Sequence, residues 1–275
     1  MALSVNTNIT SMNAYNQLSK TQDALKTSFS RLASGMRINS AADDAAGLGI
    51  SKSMNAQIRS YAVAERNTND GISMRQTADG GAEQIDGLLT RMRELAVQAS
   101  NGSLSASDYT NIDAEFQQNL SEIDRVASSV QFNGINLLSG AAAARDFQVG
   151  IGTAATDRIS VNFGGADATV LAVDGTSATS FANAQTAITK LDAAISTLSG
   201  VRAGFGASMN RFSSTIESLQ SMQTNTSASL SRIQDTDIAS ETAKLSKNQV
   251  LSQAGAAILS QANQTPQLAL SLLRG

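Results

Sequence analysis

From Ile188 to Ile233 one apolar heptad runs without a proline, and it sets the dimensions of anything built around it. Leu191, Ile195, Leu198, Phe205, Met209, Phe212, Ile216, Leu219, Leu230 and Ile233 follow Ile188 in alternating three- and four-residue steps. This is the spacing of a helix that pairs with other helices along its length. Arg202, Gln223 and Thr226 are the polar members of the seam, and polar seam residues fix register at some cost in stability. As one helix the segment is about 69 Å long at 1.5 Å per residue. An element of that length does not fit inside a sphere. The expected fold is mainly α, an elongated antiparallel helical rod or coiled coil. Gly200, Gly204 and Gly206 oppose the helix by about 1 kcal/mol each relative to Ala, so a slight bend or the close approach of another backbone is expected there.

Other segments repeat the pattern. Tyr15, Leu18, Leu25, Phe29, Leu32 and Met36 form an N-terminal seam, interrupted at Gln22. Gly35 stands where that helix ends, and Arg37 carries a charge suited to a helix C-terminus. Asp43 and Asp44 stand where the next helix begins. That helix carries Leu48, Met54, Ile58 and Tyr61, then a polar interval before Ile72. Ile85, Leu88, Leu89, Met92, Leu95, Ala96 and Ala99 form a further pattern, and residues 72–99 as one helix span about 42 Å. ASNGSLSASD (99–108) is a loop by composition, with Ser105 and Asp108 at capping-box spacing. Ile112, Phe116, Leu120, Ile123, Ala127 and Val130 make another amphipathic helix. FNGINLLSG (132–140) closes it with two turn signals. Near the C-terminus Val250, Leu251, Ala254, Ile258 and Ala262 carry the theme on, and after Pro266 LALSLL adds a final apolar turn or two.

Residues 141–183 differ. FQVGIG (147–152) and RISVNF (158–163) alternate around TAATD, the pattern of a β-hairpin, and ATVLAV (168–173) offers a third strand. With its Gly, Ser, Thr and Ala content the segment reads as a small surface insertion.

Composition removes most chemistry. The chain has no Cys, His or Trp, which excludes a thiol nucleophile, a disulfide, an imidazole base and the usual zinc sites. The carboxylates sit among helix formers and read as solvated helix faces. Net charge is −3 with signs interspersed, so nothing is set up to neutralise phosphates, and nucleic-acid binding is disfavoured. No apolar run of about 18 residues offers a bilayer span, and MALSVNTNIT lacks the features of a secretory signal. No enzyme activity, cofactor or metal is expected. Both ends are amphipathic but poor in large aromatics, so alone they bury little. Neighbouring copies would cover the remaining seams.

These residues resemble the bacterial flagellins. SRLASGMRINSAADDAAGLGIS (30–51) is similar to the family's N-terminal signature, and LLTRMRELAVQASNG (88–102) to its mid-domain signature. FNGINLLSG, GASMNRF (206–212) and the segment from Ser231 to Gly275 fit as well, in sequential order over about three-quarters of the chain. The central 141–183 is the variable part, short here.

The resemblance implies a subunit that polymerises into an extracellular flagellar filament for motility, exported unfolded through the flagellar type III channel. Residues 1–43 and 233–275 would form an inner terminal coiled coil, with Leu18, Leu25, Phe29, Leu32, Leu251 and Ile258 in its seam. Residues 44–140 and 184–232 would form the helical rod, and 141–183 the hairpin insertion. Gly35, Arg37, Asp43 and Asp44 would belong to the spoke between the layers. Implied partners are further copies of the chain, an export chaperone on the C-terminal helix, hook-associated and cap proteins, and a vertebrate Toll-like receptor. The last would be met by Arg91, Leu95 and Gln98, which recur at four- and three-residue steps, with Glu115 from the neighbouring helix. Thr90 replaces the Gln that usually precedes this Arg. Periodicity alone reads Leu95 as core and Arg91 as its solvated neighbour. A hook–filament junction protein, with similar terminal helices, is the alternative. A flagellin carrying a metalloprotease insertion would need HExxH, which a chain without His cannot supply.

Overall fold

The computed structural model describes residues 7–140 and 144–274, with 265–274 as backbone only. The LALSLL side chains after Pro266 lie outside the described residues. Among these residues the elements in chain order are α1 (Ile9–Ser34), α2 (Ala45–Ala99), α3 (Ala106–Ser129), β1 (Gln131–Phe132), β2 (Ile135–Asn136), β3 (Ala144–Gln148), β4 (Arg158–Asn162), α4 (Phe181–Gln234) and α5 (Ile238–Arg274). The fold is mainly α with a small antiparallel hairpin. Packing divides the chain into one unit of Met1–Ala56 with Asn225–Gly275 and a second of Gln57–Thr224. Both divisions fall inside long helices, α2 and α4.

The second unit holds the large core. Ile85, Leu89, Met92, Leu95, Phe116, Ile123, Leu198, Phe205 and Phe212 are buried in it. From Ile188 to Leu219 the seam positions of α4, Arg202 included, alternate between half-buried and buried; Leu230 and Ile233 are half-buried. Arg202 meets Asp79 of α2 at 2.9 Å and lies 3.9 Å from Asp86, so the polar break in the seam is an ion pair across two helices. No atom lies within 4 Å of a Cβ placed on Gly200, Gly204 or Gly206. Close approach of another backbone of this chain is not their explanation.

The α2 helix is longer than its sequence pattern. Its polar interval, residues 62–71, stays helical, and buried Ala64 and Thr68 keep the inward face continuous. Gly71 lets Phe147 and Phe212 close over the helix, because an added Cβ would sit 2.9 Å from the Phe212 ring. Those two rings meet edge to face with centroids 5.5 Å apart. Ser105 caps α3 through the expected box with Asp108.

The insertion departs from the sequence reading in two ways. β3 lies at 144–148 rather than 147–152, pairing Ala144 with Asn162 and Gln148 with Arg158. Residues 149–157 form the connection, where Val149 N and Gly150 N both donate to Asp157 O. ATVLAV is not a strand. The Asp167 carboxylate accepts from Val170 N, and Leu171 N, Ala172 N and Val173 N bond back to Asp167 O, Thr169 O and Ala168 O. Those bonds wind 167–173 into turns that still bury Ala168, Leu171 and Val173. Part of the segment thus packs into the core of its unit, while residues 151–156 stay exposed.

Arg75 of α2 is the unexpected core residue. It is 3% exposed, with its guanidinium 4.8 Å from the Phe163 ring centre and 4.5 Å from that of Phe205. Its Nε and Nη1 have no hydrogen-bond partner, and burial lowers its pKa to about 10.

Candidate assembly interface

In the first unit α1 pairs with α5, and the contact is more polar than its heptad suggests. Thr21, Ser28 and Glu241 are buried there, with Ala262 farther along. Ser28 Oγ donates to Glu241 Oε1 at 2.6 Å, and Lys244 Nζ donates to the other oxygen at 3.3 Å. The Ser28 bond, then Lys244 and Arg31, hold the Glu241 carboxyl below its ordinary range against the opposing effect of burial. At the ends of the pair Asn8 Nδ2 donates to Ala262 O at 2.8 Å, and Ser11 Oγ to Asn263 Oδ1 at 2.7 Å.

The expected seam separates into two sets. Leu18, Leu25 and Leu32 are half-buried, and Leu18 lies against Gly255 of α5. Phe29, Leu251 and Ile258 stay largely exposed, at 55%, 45% and 58%. Ile9, Met12 and Tyr15 on α1 and Ile238 and Val250 on α5 are exposed as well, spread over more than one side of each helix. The difference in exposure has a geometric cause. Heptad spacing reports apolar positions on a helix, and here the helices carry apolar residues on more than the mutually facing stripe. Single exposed apolar residues are ordinary, whereas a row of them marks an interaction surface.

The turn between α1 and α2 is built from the four residues expected there. Gly35 ends α1 at φ +71°, and its carbonyl accepts from Thr236 N at 2.9 Å. Arg37 bonds the Ile233 carbonyl with Nε and Nη2 at 3.2 and 2.7 Å. Its charge therefore serves the C-terminus of α4, not that of α1. Asp43 Oδ2 accepts from the Ser40 amide and hydroxyl at 2.8 and 2.9 Å and from Asn39 N at 3.2 Å. The Ser40 bonds are the main reason its pKa lies below the usual value. Asp44 Oδ1 accepts from Gly47 N at 2.8 Å, as an N-terminal cap of α2 does.

In the second unit Arg91 and Glu115 form an ion pair across α2 and α3, with Nη2 and Oε1 2.8 Å apart. Glu94, which the sequence reading missed although it stands three residues along the same helix, joins Arg91 at 3.0 Å. Hydrogen bonding to Glu115 first, and to Glu94 second, raises the Arg91 pKa. Gln98 is exposed. Leu95 is 2% exposed and belongs to the core, so its side chain is not presented beside Arg91.

Comparison with known proteins fits this architecture to a family. Residues 5–143 match the bacterial flagellin N-terminal helical region, and residues 188–273 match the bacterial flagellin C-terminal helical region. The chain is 39% identical over 270 residues to a flagellin of Halalkalibacterium halodurans, covering 98% of this chain and 99% of that one. The chain belongs to the bacterial flagellins. Between the two matched regions lie residues 144–187, which hold β3, β4 and the turns after them. The crystal structure of Bacillus cereus flagellin is similar at 31% identity, with a TM-score of 0.50 over 60% of this chain and 94% of that one. A putative flagellar hook-associated protein from Vibrio parahaemolyticus shares the fold alone, at 14% identity and a TM-score of 0.57 over 70% of this chain and all of that one.

Flagellins are structural proteins, not enzymes, and they self-polymerise into the flagellar filament, which is extracellular. This flagellin is a filament subunit, and the junction-protein alternative is not favoured. Among the described residues no helix is long and apolar enough to cross a membrane.

Proposed function

We propose that the outward apolar residues of α1 and α5 are the surface that neighbouring subunits cover in the filament. The supporting observation is the exposure of Met12, Tyr15, Phe29, Val250, Leu251 and Ile258 on helices that already pair with each other. Full burial of such a side chain is worth about 1.5–3 kcal/mol, so a few half-exposed ones supply a large part of an assembly free energy. On this reading residues 1–43 and 233–275 are the inner layer, 44–140 and 184–232 the rod, and 141–183 the outermost segment. The contacts are heterologous and non-closing, since only those propagate an open helix.

Before export the same α5 surface calls for a covering partner, which we assign to an export chaperone. Hook-associated and cap proteins would meet the filament ends through similar terminal helices. Arg91, Gln98 and Glu115 are proposed to meet a vertebrate Toll-like receptor, with Leu95 supporting them from the core. Phe29→Ser and Ile258→Ser test the assembly reading by sedimentation of polymer. Each should leave the monomer folded and raise the critical concentration about tenfold for every 1.4 kcal/mol lost. Polymerisation at the parental concentration would exclude this surface. For the receptor surface, Arg91→Ala should weaken signalling by folded monomer, and unchanged signalling would remove Arg91 from it.

A further inference from the structure

We infer that Asn101 is a site of spontaneous covalent ageing, converting to aspartate or isoaspartate, and that the fold directs the reaction there rather than to Asn133. The chain holds Asn-Gly at 101–102 and at 133–134. Glycine exposes its amide nitrogen to the preceding side chain, so both carry the reactive chemistry. Their surroundings differ.

Asn101 and Gly102 are exposed in the connection between α2 and α3, where no strand or helix fixes them. Among the described residues, the Asn101 main chain is held by long bonds to its carbonyl, from Leu104 N at 3.4 Å and the Tyr109 hydroxyl at 3.3 Å. Ser103 N donates to Asn101 Oδ1 at 3.2 Å. That oxygen gathers negative charge when the neighbouring nitrogen attacks Cγ, and a donor already aimed at it lowers the barrier. Asn133 and Gly134 instead form the two-residue turn between β1 and β2, at φ 49° and 74°, clamped by the pairs Phe132–Ile135 and Gln131–Asn136. Ring closure requires rotation about the asparagine's own backbone and side-chain bonds, and at Asn133 that rotation would break the pairing.

The chemistry needs only solvent. Base removes the Gly102 amide proton, and the nitrogen adds to Asn101 Cγ. The Cγ–Nδ2 bond breaks, and ammonia leaves with a proton from solvent, closing a five-membered imide. Water then adds to either imide carbonyl and opens the ring. The product is aspartate, or isoaspartate with the chain rerouted through Cβ and Cγ. Overall one water is consumed and one ammonia released. Either product places a new carboxylate just beyond the C-terminus of α2, where the helix's partial negative charge opposes it. In isoaspartate the group that bonds Leu104 and Tyr109 is no longer part of the chain, so the α2–α3 connection loosens. Conversion therefore accumulates with the age of a subunit.

The test is peptide mapping by mass spectrometry of the full chain held in mildly alkaline buffer. In the folded chain Asn101 should convert about tenfold faster than Asn133, the rate equivalent of about 1.4 kcal/mol in the barrier. In denaturant the two rates should become similar. Gly102 lies outside the left-handed region, and an added Cβ there meets nothing within 4 Å. Gly102→Ala should therefore fold normally and slow conversion at 101 while leaving 133 unchanged. Ser103→Pro, which removes the donor N–H, should slow it as well. Equal rates in the folded chain, a preference that survives denaturation, or unaltered rates in either variant would overturn the inference.

Discussion

Ser28 Oγ lies 2.6 Å from Glu241 Oε1, joining residues 213 positions apart across the α1–α5 pair. This bond fixes which turn of α1 faces which turn of α5, because a slip of one turn would leave a buried carboxylate without its donor. Removing a partner from a buried charged acceptor costs about 1–3 kcal/mol, the amount by which Ser28→Ala should destabilise the pair.

The same contact sets a pH dependence. The Ser28 hydrogen bond holds Glu241 below its ordinary value of 4.5 in the folded chain. Its contribution is therefore fully present above that value and is lost as pH falls through the lower, folded one. Filaments of the parent should lose thermal stability below about pH 4.5 more steeply than those of Glu241→Gln, followed by light scattering. Parallel curves would show that other carboxylates dominate.

Gly35 should resist substitution for conformational reasons alone. Its φ is +71°, and a Cβ there meets nothing within 4 Å. Gly35→Ala should cost about 1–2 kcal/mol through the left-handed backbone, and Gly35→Asn less. Thermal disassembly of filaments measures both. Equal loss from the two would point to a steric rather than a backbone cause.

Arg75 should be replaceable by an apolar residue of similar length. Its two ring contacts are worth about 0.5–2 kcal/mol, but its partnerless buried nitrogens oppose folding. Exchanging poorly compensated buried charge for packed apolar atoms is often neutral or stabilising by about 1–4 kcal/mol. Arg75→Met should leave the monomer Tm unchanged or higher, whereas Arg75→Ala should lower it through the cavity. Equal falls would mean that the ring contacts outweigh the desolvation.

Gly204→Ala should raise the monomer Tm, because the site is an exposed helix interior with open space around it. The expected gain is about 0.5–1 kcal/mol. A higher Tm with normal polymerisation is the outcome foreseen; a lower Tm would reveal a local constraint absent from the contacts of this chain.

The sequence by itself determined the helical fold class, the cap of α3 and the end of α1 at Gly35. Each follows from spacing or backbone preference within a few residues, and the family signatures add the filament function. Tertiary structure decided which face of a helix is buried. Phe29, Leu251 and Ile258 carry the apolar pattern yet stay largely exposed, while Ser28 and Glu241, polar and unremarked in sequence, are buried in the α1–α5 contact. ATVLAV alternates like a strand but is wound into turns by the Asp167 carboxylate and backbone bonds to residues 167–169. Arg75 joins the core only because Phe163 and Phe205, distant in sequence, close over it. Periodicity records only how a segment presents its side chains; the partner that covers them comes from elsewhere in the chain, and its approach chooses among faces that local sequence leaves equivalent.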